Sequence, residues 1–161
     1  MQVLKHSIAA LALILTMGAQ AQTAHADEKA LVQTFYDFLS NPTSKEMSRK
    51  MRDVLADDWE SVGDYSGSAK KREKFIGQIS GFGKLIPNMN WGVEEMLQAG
   101  NRVIVRGRAS GTPQGPLFGV DGAGKSFEIM SIDIHTVEGG KIVRTFHVED
   151  WAGALRQLSQ K

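Results

Sequence analysis

The stretch "SFEIMSIDIHTVEGGKIVRTFHVEDW", residues 126–151, decides the fold. Apolar residues alternate with polar ones after Phe127 and again after Ile142, the period-two pattern of half-buried strands. Gly139-Gly140 between the two runs is hairpin-turn chemistry. The same pattern settles the residues just upstream. "GVDGAGKS" (119–126) matches the phosphate-loop pattern G-x-x-x-x-G-K-[ST] in full. A phosphate loop opens directly into a helix whose N-terminal amides wrap the phosphates. Here Lys125-Ser126 leads into a strand, so the segment reads as a loop between antiparallel strands, and no nucleotide site is expected.

Working outward, "NWGVEEMLQAGNRVIVRGRASG" reads as two more strands joined at Gly100-Asn101, with Val103, Val105, Gly107 and Ala109 alternating against Arg102, Ile104, Arg106 and Arg108. Ahead of them the period becomes helical. Ala30, Leu31, Phe35, Phe38 and Leu39 form one apolar face of a helix that Asp27 is placed to cap. Thr43 and Glu46 have capping-box spacing for a second helix with Met47, Met51, Val54 and Leu55 inward. A short strand and a Gly/Ser loop follow at 57–68. A third helix is expected over 69–82, and "WAGALRQL" closes the chain as a fourth. Helices first and antiparallel strands afterwards predict an α+β domain with the helices on one face of a curved sheet.

The first 26 residues stand apart. Lys5 and His6 precede the apolar run Ile8–Met17, and Ala19-Gln20-Ala21 and Ala24-His25-Ala26 are both A-x-A sites. This is a secretory signal layout, too short to span a bilayer as a helix. Cleavage after Ala21 or Ala26 is open, and a periplasmic or secreted location is expected. Residues 27–161 then form one domain of 135 residues with 18 basic and 18 acidic side chains, a balance that gives nucleic acid or an anionic membrane no handle. With no cysteine in the chain, packing has to supply the stability.

Chemistry concentrates in the final hairpin, which holds both histidines of the mature chain. Asp133 and His135 share one strand face, as do His147 and Glu149. Carboxylate–imidazole pairs suit acid–base work, while polar outer-face residues of a sheet are the bland alternative. A two-residue turn at Gly139-Gly140 puts Asp133 and His135 with Phe146, Val148 and Asp150. A three-residue loop with a bulge puts them with His147 and Glu149. Two histidines and two carboxylates spread over two strands lack tight metal-ligand spacing, so no metal is expected. Asp150 either sits against apolar walls, which raise a carboxyl's pKa, or caps the last helix. Arg106 is either solvated or a pocket cation, and Trp59 and Trp91 either line a pocket or fill the core.

Several strings together resemble one family: "LIPNMNWGVEEML" (85–97), "GNRVIVRGRASGTPQGPLFGV" (100–120), "GAGKSFE" (122–128), "IDIHTVEGGKIVRTFHVEDW" (132–151) and "ALRQL" (154–158). The chain is similar to SnoaL-like polyketide cyclases, also called ester cyclases, of the nuclear transport factor 2-like superfamily, over residues 28–159. The resemblance implies a cone-shaped α+β domain, its curved antiparallel or mixed sheet packed against N-terminal helices on the concave face around an apolar pocket. It also implies a cofactor-independent cyclase, isomerase or hydratase-like reaction on a small apolar carbonyl compound. In that reading Asp150 is the acid–base and His135 with Asp133 assists. Phe146, His147, Arg106, Trp59 and Trp91 belong to the pocket, and Arg106 faces an oxyanion or carboxylate. The rival reading is a non-catalytic periplasmic binding or accessory protein for a lipophilic small molecule. This architecture often pairs through an exposed sheet face, which leaves a homodimer open.

Overall fold

The two strands of the deciding hairpin, β5 (Phe127–Glu138) and β6 (Lys141–Glu149), form as expected, but their register carries a surprise. A computed structural model describes residues 28–160 of the chain; the expected signal segment and the Asp27 cap lie outside the described residues. Gly139 and Gly140 have φ of 56° and 73°, the left-handed pair a two-residue hairpin turn demands, and Glu138 pairs with Lys141 across it. Two residues later the ladder slips. Val137 pairs with Ile142, yet Thr136 pairs with Arg144, so Val143 is an extra, bulged residue. The slip turns every following β6 side chain to the other face. Asp133 therefore lies opposite His147, His135 opposite Thr145, and Ser131 opposite Glu149. The turn is that of one sequence alternative and the shared face is that of the other.

Helix α1 covers residues 28–40, and α2 is Lys45–Val54. Strands β1 (Leu55–Val62) and β2 (Lys70–Lys71) precede helix α3 (Arg72–Leu85). Strands β3 (Asn90–Ala99) and β4 (Arg102–Gly111) come before β5 and β6, and helix α4 is Trp151–Ser159. The six strands make one mixed sheet in the order β2-β1-β6-β5-β4-β3. All neighbours are antiparallel except β1 and β6, which run parallel.

Local chemistry accounts for the boundaries that differ from the sequence reading. Ser44, not Thr43, caps α2: its Oγ accepts from the Met47 amide at 3.2 Å, and Glu46 pairs with Lys50 instead of closing a box. Leu55 leaves the helix to begin β1. Helix α3 starts at Arg72 because Lys70 and Lys71 pair with Ser61 and Glu60.

Helix α1 buries Val32, Phe35, Tyr36 and Leu39, the i, i+3, i+4, i+7 stripe of an amphipathic helix. The stripe lies against the inward side of the sheet, where Phe35 packs on Trp59, Phe75 and His135. On β4 the alternation falls as read: Val103, Val105 and Ala109 are fully buried. The segment 119–126 leads straight into β5, with no helix following it.

The bulge gives a direct test. Inserting one alanine between Arg144 and Thr145 moves Thr145, His147 and Glu149 one position along the ladder and carries them to the outer face. The expected result is loss of cooperative urea unfolding, followed by circular dichroism, because the inner polar groups lose their partners together.

Candidate active site

Polar groups on the inward face of β5 and β6 form a chain of hydrogen bonds whose protons run one way. Tyr36 Oη donates to Asp133 Oδ2 at 2.8 Å. Its single proton is thereby used, so at its 3.1 Å contact with His135 Nε2 the imidazole N–H donates to the phenol oxygen. His135 Nδ1 then accepts from the Thr145 hydroxyl at 3.0 Å, and the Thr145 oxygen accepts from Trp59 Nε1 at 3.1 Å. From the other side Trp91 Nε1 donates to Ser131 Oγ at 3.1 Å, and Ser131 donates to Asp133 Oδ2 at 3.3 Å. Both arms end on one carboxylate oxygen.

Room for the second arm comes from Gly107. A Cβ there would lie 2.6 Å from Ser131 Oγ and 3.2 Å from Trp91 Nε1, so any side chain would break that link. Among the described residues Asp133 Oδ1 takes no protein hydrogen bond. Among the described residues the only sealed, unpartnered side-chain polar atom is Gln98 Oε1, so Oδ1 opens onto the cavity that Asp133 lines.

That cavity measures about 320 Å³. Its wall is mostly apolar: Phe35 and Leu39 from α1, Phe75, Ile79 and Phe82 from α3, and Trp91 from β3. Phe118 and Trp151 also line it, their rings in edge contact at 5.6 Å. Asp133, His147, Glu149, Ser61 and Thr145 form the polar patch. His147 Nδ1 bonds Glu149 Oε1 at 2.7 Å, and its Nε2 meets Ser61 Oγ at 2.9 Å. Among the described residues no three His, Asp or Glu side chains converge to hold a metal ion.

Burial sets the protonation states. It pushes the Asp133 carboxyl up to about 7, aided by the charge of Glu149 and opposed by the Tyr36 and Ser131 hydrogen bonds and by His147. Burial pushes His135 down to about 3, with the nearby charge of His147 adding to it, so His135 is neutral and structural. For His147 burial acts downward, but the hydrogen bond and charge of Glu149, with the charge of Asp133, outweigh it and raise the pKa. Tyr36 is held protonated by burial and by Asp133 beside it.

The residues singled out from sequence separate into three groups. Asp133, His147 and Trp91 line the cavity, and His135 and Trp59, both fully buried, sit behind them in the hydrogen-bonded chain. Arg106 and Phe146 belong to the outer face. Arg106 alternates with the buried Val105 and Gly107 and pairs with Glu95 at 3.5 Å on the surface, so it offers the cavity no cation. Asp150 takes the capping alternative: its Oδ1 accepts from the Gly153 amide at 2.7 Å, its side chain is about half exposed, and it is absent from the cavity lining. Tyr36, Ser61, Ser131 and Thr145 were missed. Ser131 was within reach, two residues before Asp133 on the same face. Tyr36 lies at helical spacing from Val32 and Leu39. Nothing local marks Ser61.

A curved mixed sheet with helices over one face, enclosing an apolar cavity with a carboxylate–imidazole patch, defines a nuclear transport factor 2-like α+β domain. The family model for SnoaL-like polyketide cyclases matches residues 30–158, and the chain belongs to that family. IdmH from Streptomyces antibioticus aligns with a TM-score of 0.72 at 23% identity, over 83% of this chain and 99% of that one. A SnoaL-like polyketide cyclase from Agrobacterium tumefaciens aligns at 0.67 and 17% identity, over 82% and 98%. A protein with a ketosteroid isomerase-like fold from Catenulispora acidiphila, in complex with trimethylamine, aligns at 0.62 and 16% identity, over 81% and 93%. At these identities the likeness is one of fold. The comparison with curated proteins finds no match.

Two buried groups pull stability in opposite directions with pH. The folded chain refuses a proton at His135 until about 3, whereas the unfolded chain accepts one near 6.5, so this contribution is lost as pH falls through that window. Asp133 is protonated first in the folded chain, so its contribution is present at low pH and lost as pH rises from 3.8 through about 7. The wild type should therefore change little in stability between about pH 7 and pH 4.5. Asp133→Asn, which leaves the His135 contribution unopposed by Asp133, should lose roughly 2–3 kcal/mol over the same range, read by urea unfolding at each pH.

Proposed function

We propose that this protein is a cofactor-independent acid–base catalyst of the cyclase or isomerase type, acting on a small apolar carbonyl compound. Membership of the SnoaL-like polyketide cyclase family supports the reaction class. The observation that carries it is Asp133: a buried carboxyl poised near neutrality, Oδ2 held by two donors, Oδ1 open to an apolar cavity. Such a group removes a proton from carbon next to a carbonyl most effectively when its pKa lies near the working pH. His147 is its direct cross-strand partner, and Glu149 stabilises its protonated form. The imidazolium is thus placed to donate to the carbonyl oxygen as charge develops there. The role that family resemblance gives to Asp150 falls to Asp133 in this reading, because Asp150 is engaged as a helix cap.

We propose further that residues 1–26 direct export and that the mature protein pairs with a second copy through the outer face of its sheet. Met130, Ile132 and Val148 lie exposed there, and Ile132 and Val148 are paired neighbours on β5 and β6. An apolar patch spanning neighbouring strands favours a covering partner. In the native host, periplasmic or secreted protein should begin at Asp27 or Gln22 by N-terminal sequencing and elute at twice its mass by light scattering. An uncleaved N-terminus would overturn export, and a monomer at micromolar concentration would overturn pairing.

The catalytic reading is tested by exchange. Incubated in deuterated buffer with small cyclic β,γ-unsaturated ketones, the wild type should speed α-proton exchange or isomerisation, with the rate rising through about pH 7 as Asp133 ionises and falling again once His147 loses its proton. Asp133→Asn should lower the rate by about 10²–10⁴-fold. Tyr36→Phe removes a bond that favours the carboxylate and should move the rising limb to higher pH. Saturable ketone binding with no exchange would replace catalysis by a binding role.

A further inference from the structure

Ser61, His147 and Glu149 form a second functional arrangement in the same cavity, one that the proton-transfer reading of Asp133 does not use. Glu149 Oε1 accepts from His147 Nδ1 at 2.7 Å, which fixes the tautomer of the neutral ring and leaves Nε2 as an acceptor. Ser61 Oγ lies 2.9 Å from that Nε2 and donates to it. The ring is placed by the fold as well as by its partners. Strands β1 and β6 are parallel neighbours with Ser61 paired to Thr145, so His147 is the next inward residue along β6. The ring also lies over Gly63, where a Cβ would come within 2.8 Å of Cε1 and 3.0 Å of Nε2. Only glycine there lets the imidazole reach the serine.

On its other side Ser61 pairs with Lys70 of β2, a direct antiparallel partner whose side chain leaves the same face. Lys70 lines the cavity and, among the described residues, makes no ion pair or side-chain hydrogen bond. Its charged neighbours are Asp64 and His147. The constellation thus has a hydroxyl, a base, a carboxylate that orients the base, and an uncommitted cation beside the hydroxyl, all facing an apolar cavity.

We propose that Ser61 is a nucleophile for acyl transfer from small apolar carboxylic esters, activated by His147 that Glu149 orients. His147 Nε2 takes the Ser61 proton as Oγ bonds to the carbonyl carbon, and the carbonyl electron pair moves onto oxygen beside the Lys70 ammonium. Collapse breaks the bond to the alcohol, which leaves with the proton from His147. Water, deprotonated by His147, then cleaves the Ser61 ester, releasing the acid and restoring the hydroxyl. The balance is ester plus water giving acid plus alcohol, with no other reactant. This chemistry uses neutral His147, whereas the carbonyl chemistry of Asp133 uses its protonated form; the charges facing the ring are Glu149, Asp133 and Lys70.

The test is covalent. Wild-type protein is treated with an alkyl fluorophosphonate, and the adduct is located by peptide mass mapping; p-nitrophenyl butyrate hydrolysis is followed in parallel. One adduct on Ser61 is expected, with ester turnover falling roughly 100-fold or more in Ser61→Ala and His147→Gln. Ser61→Cys places the only thiol of the chain at this position, so it reports on the site without ester chemistry. Its alkylation by iodoacetamide at pH 6 should be at least about tenfold faster than that of free cysteine and should lose this advantage when His147→Gln is added. No adduct on Ser61, or a cysteine no more reactive than free thiol, overturns the proposal. Because the signal is a mass on Ser61, failure here is read apart from deuterium exchange by Asp133.

Discussion

Everything at the centre of this protein is arranged around one buried carboxylate. Asp133 sits where burial disfavours charge, and two donors on Oδ2 hold its pKa near neutrality rather than higher. Each donor is fixed by another group: Tyr36 by His135, Ser131 by Trp91. His135 is fixed in turn by Thr145, and Thr145 by Trp59. The chain therefore ties α1, β1, β3, β5 and β6 to a single atom. A partner lost anywhere along it leaves a buried polar group unpaired, at a cost of about 1–3 kcal/mol. Packing and the acid–base character of the cavity are thus one constraint, since the groups that stabilise the core also set the proton affinity of the group facing the cavity.

The division of the polar groups into two sets follows from the sheet. Cross-strand pairing puts Asp133 beside His147, while the parallel neighbour β1 brings Ser61 to the far side of the same ring. His147 is thereby shared: Glu149 fixes its orientation, and its protonation state decides whether Nε2 donates to a neighbouring oxygen or accepts from Ser61. The two histidines of the described chain behave in opposite ways because of their surroundings. His135 has no carboxylate on its ring and is kept neutral by burial, while His147 has Glu149 and keeps its basicity.

The elements were largely legible in the sequence, since period-two and helical spacing need only local information. The strands on either side of Gly100-Asn101, the final hairpin and the C-terminal helix stand where the pattern puts them. Likewise, the phosphate-loop string loses its meaning as soon as the strand after Lys125-Ser126 is recognised. Misplaced features were those decided by competition between neighbours. Ser44 took the cap from Thr43, and Lys70-Lys71 joined a strand rather than a helix.

By itself the sequence determined the α+β class, the Asp133–His135 and His147–Glu149 pairings within each strand, and the turn at Gly139-Gly140. The tertiary structure alone decided which of these face one another. Val143 is an unremarkable residue in a β-branched run, and no local signal marks it as bulged. It bulges because only the slipped register places Thr145, His147 and Glu149 against the inner partners that satisfy them. The structure alone also committed Asp150 to the cap of α4 and Arg106 to the outer face, and brought Tyr36 and Ser61 in from distant parts of the chain. Side-chain period is a property of neighbours along the chain; a site is a property of neighbours in space.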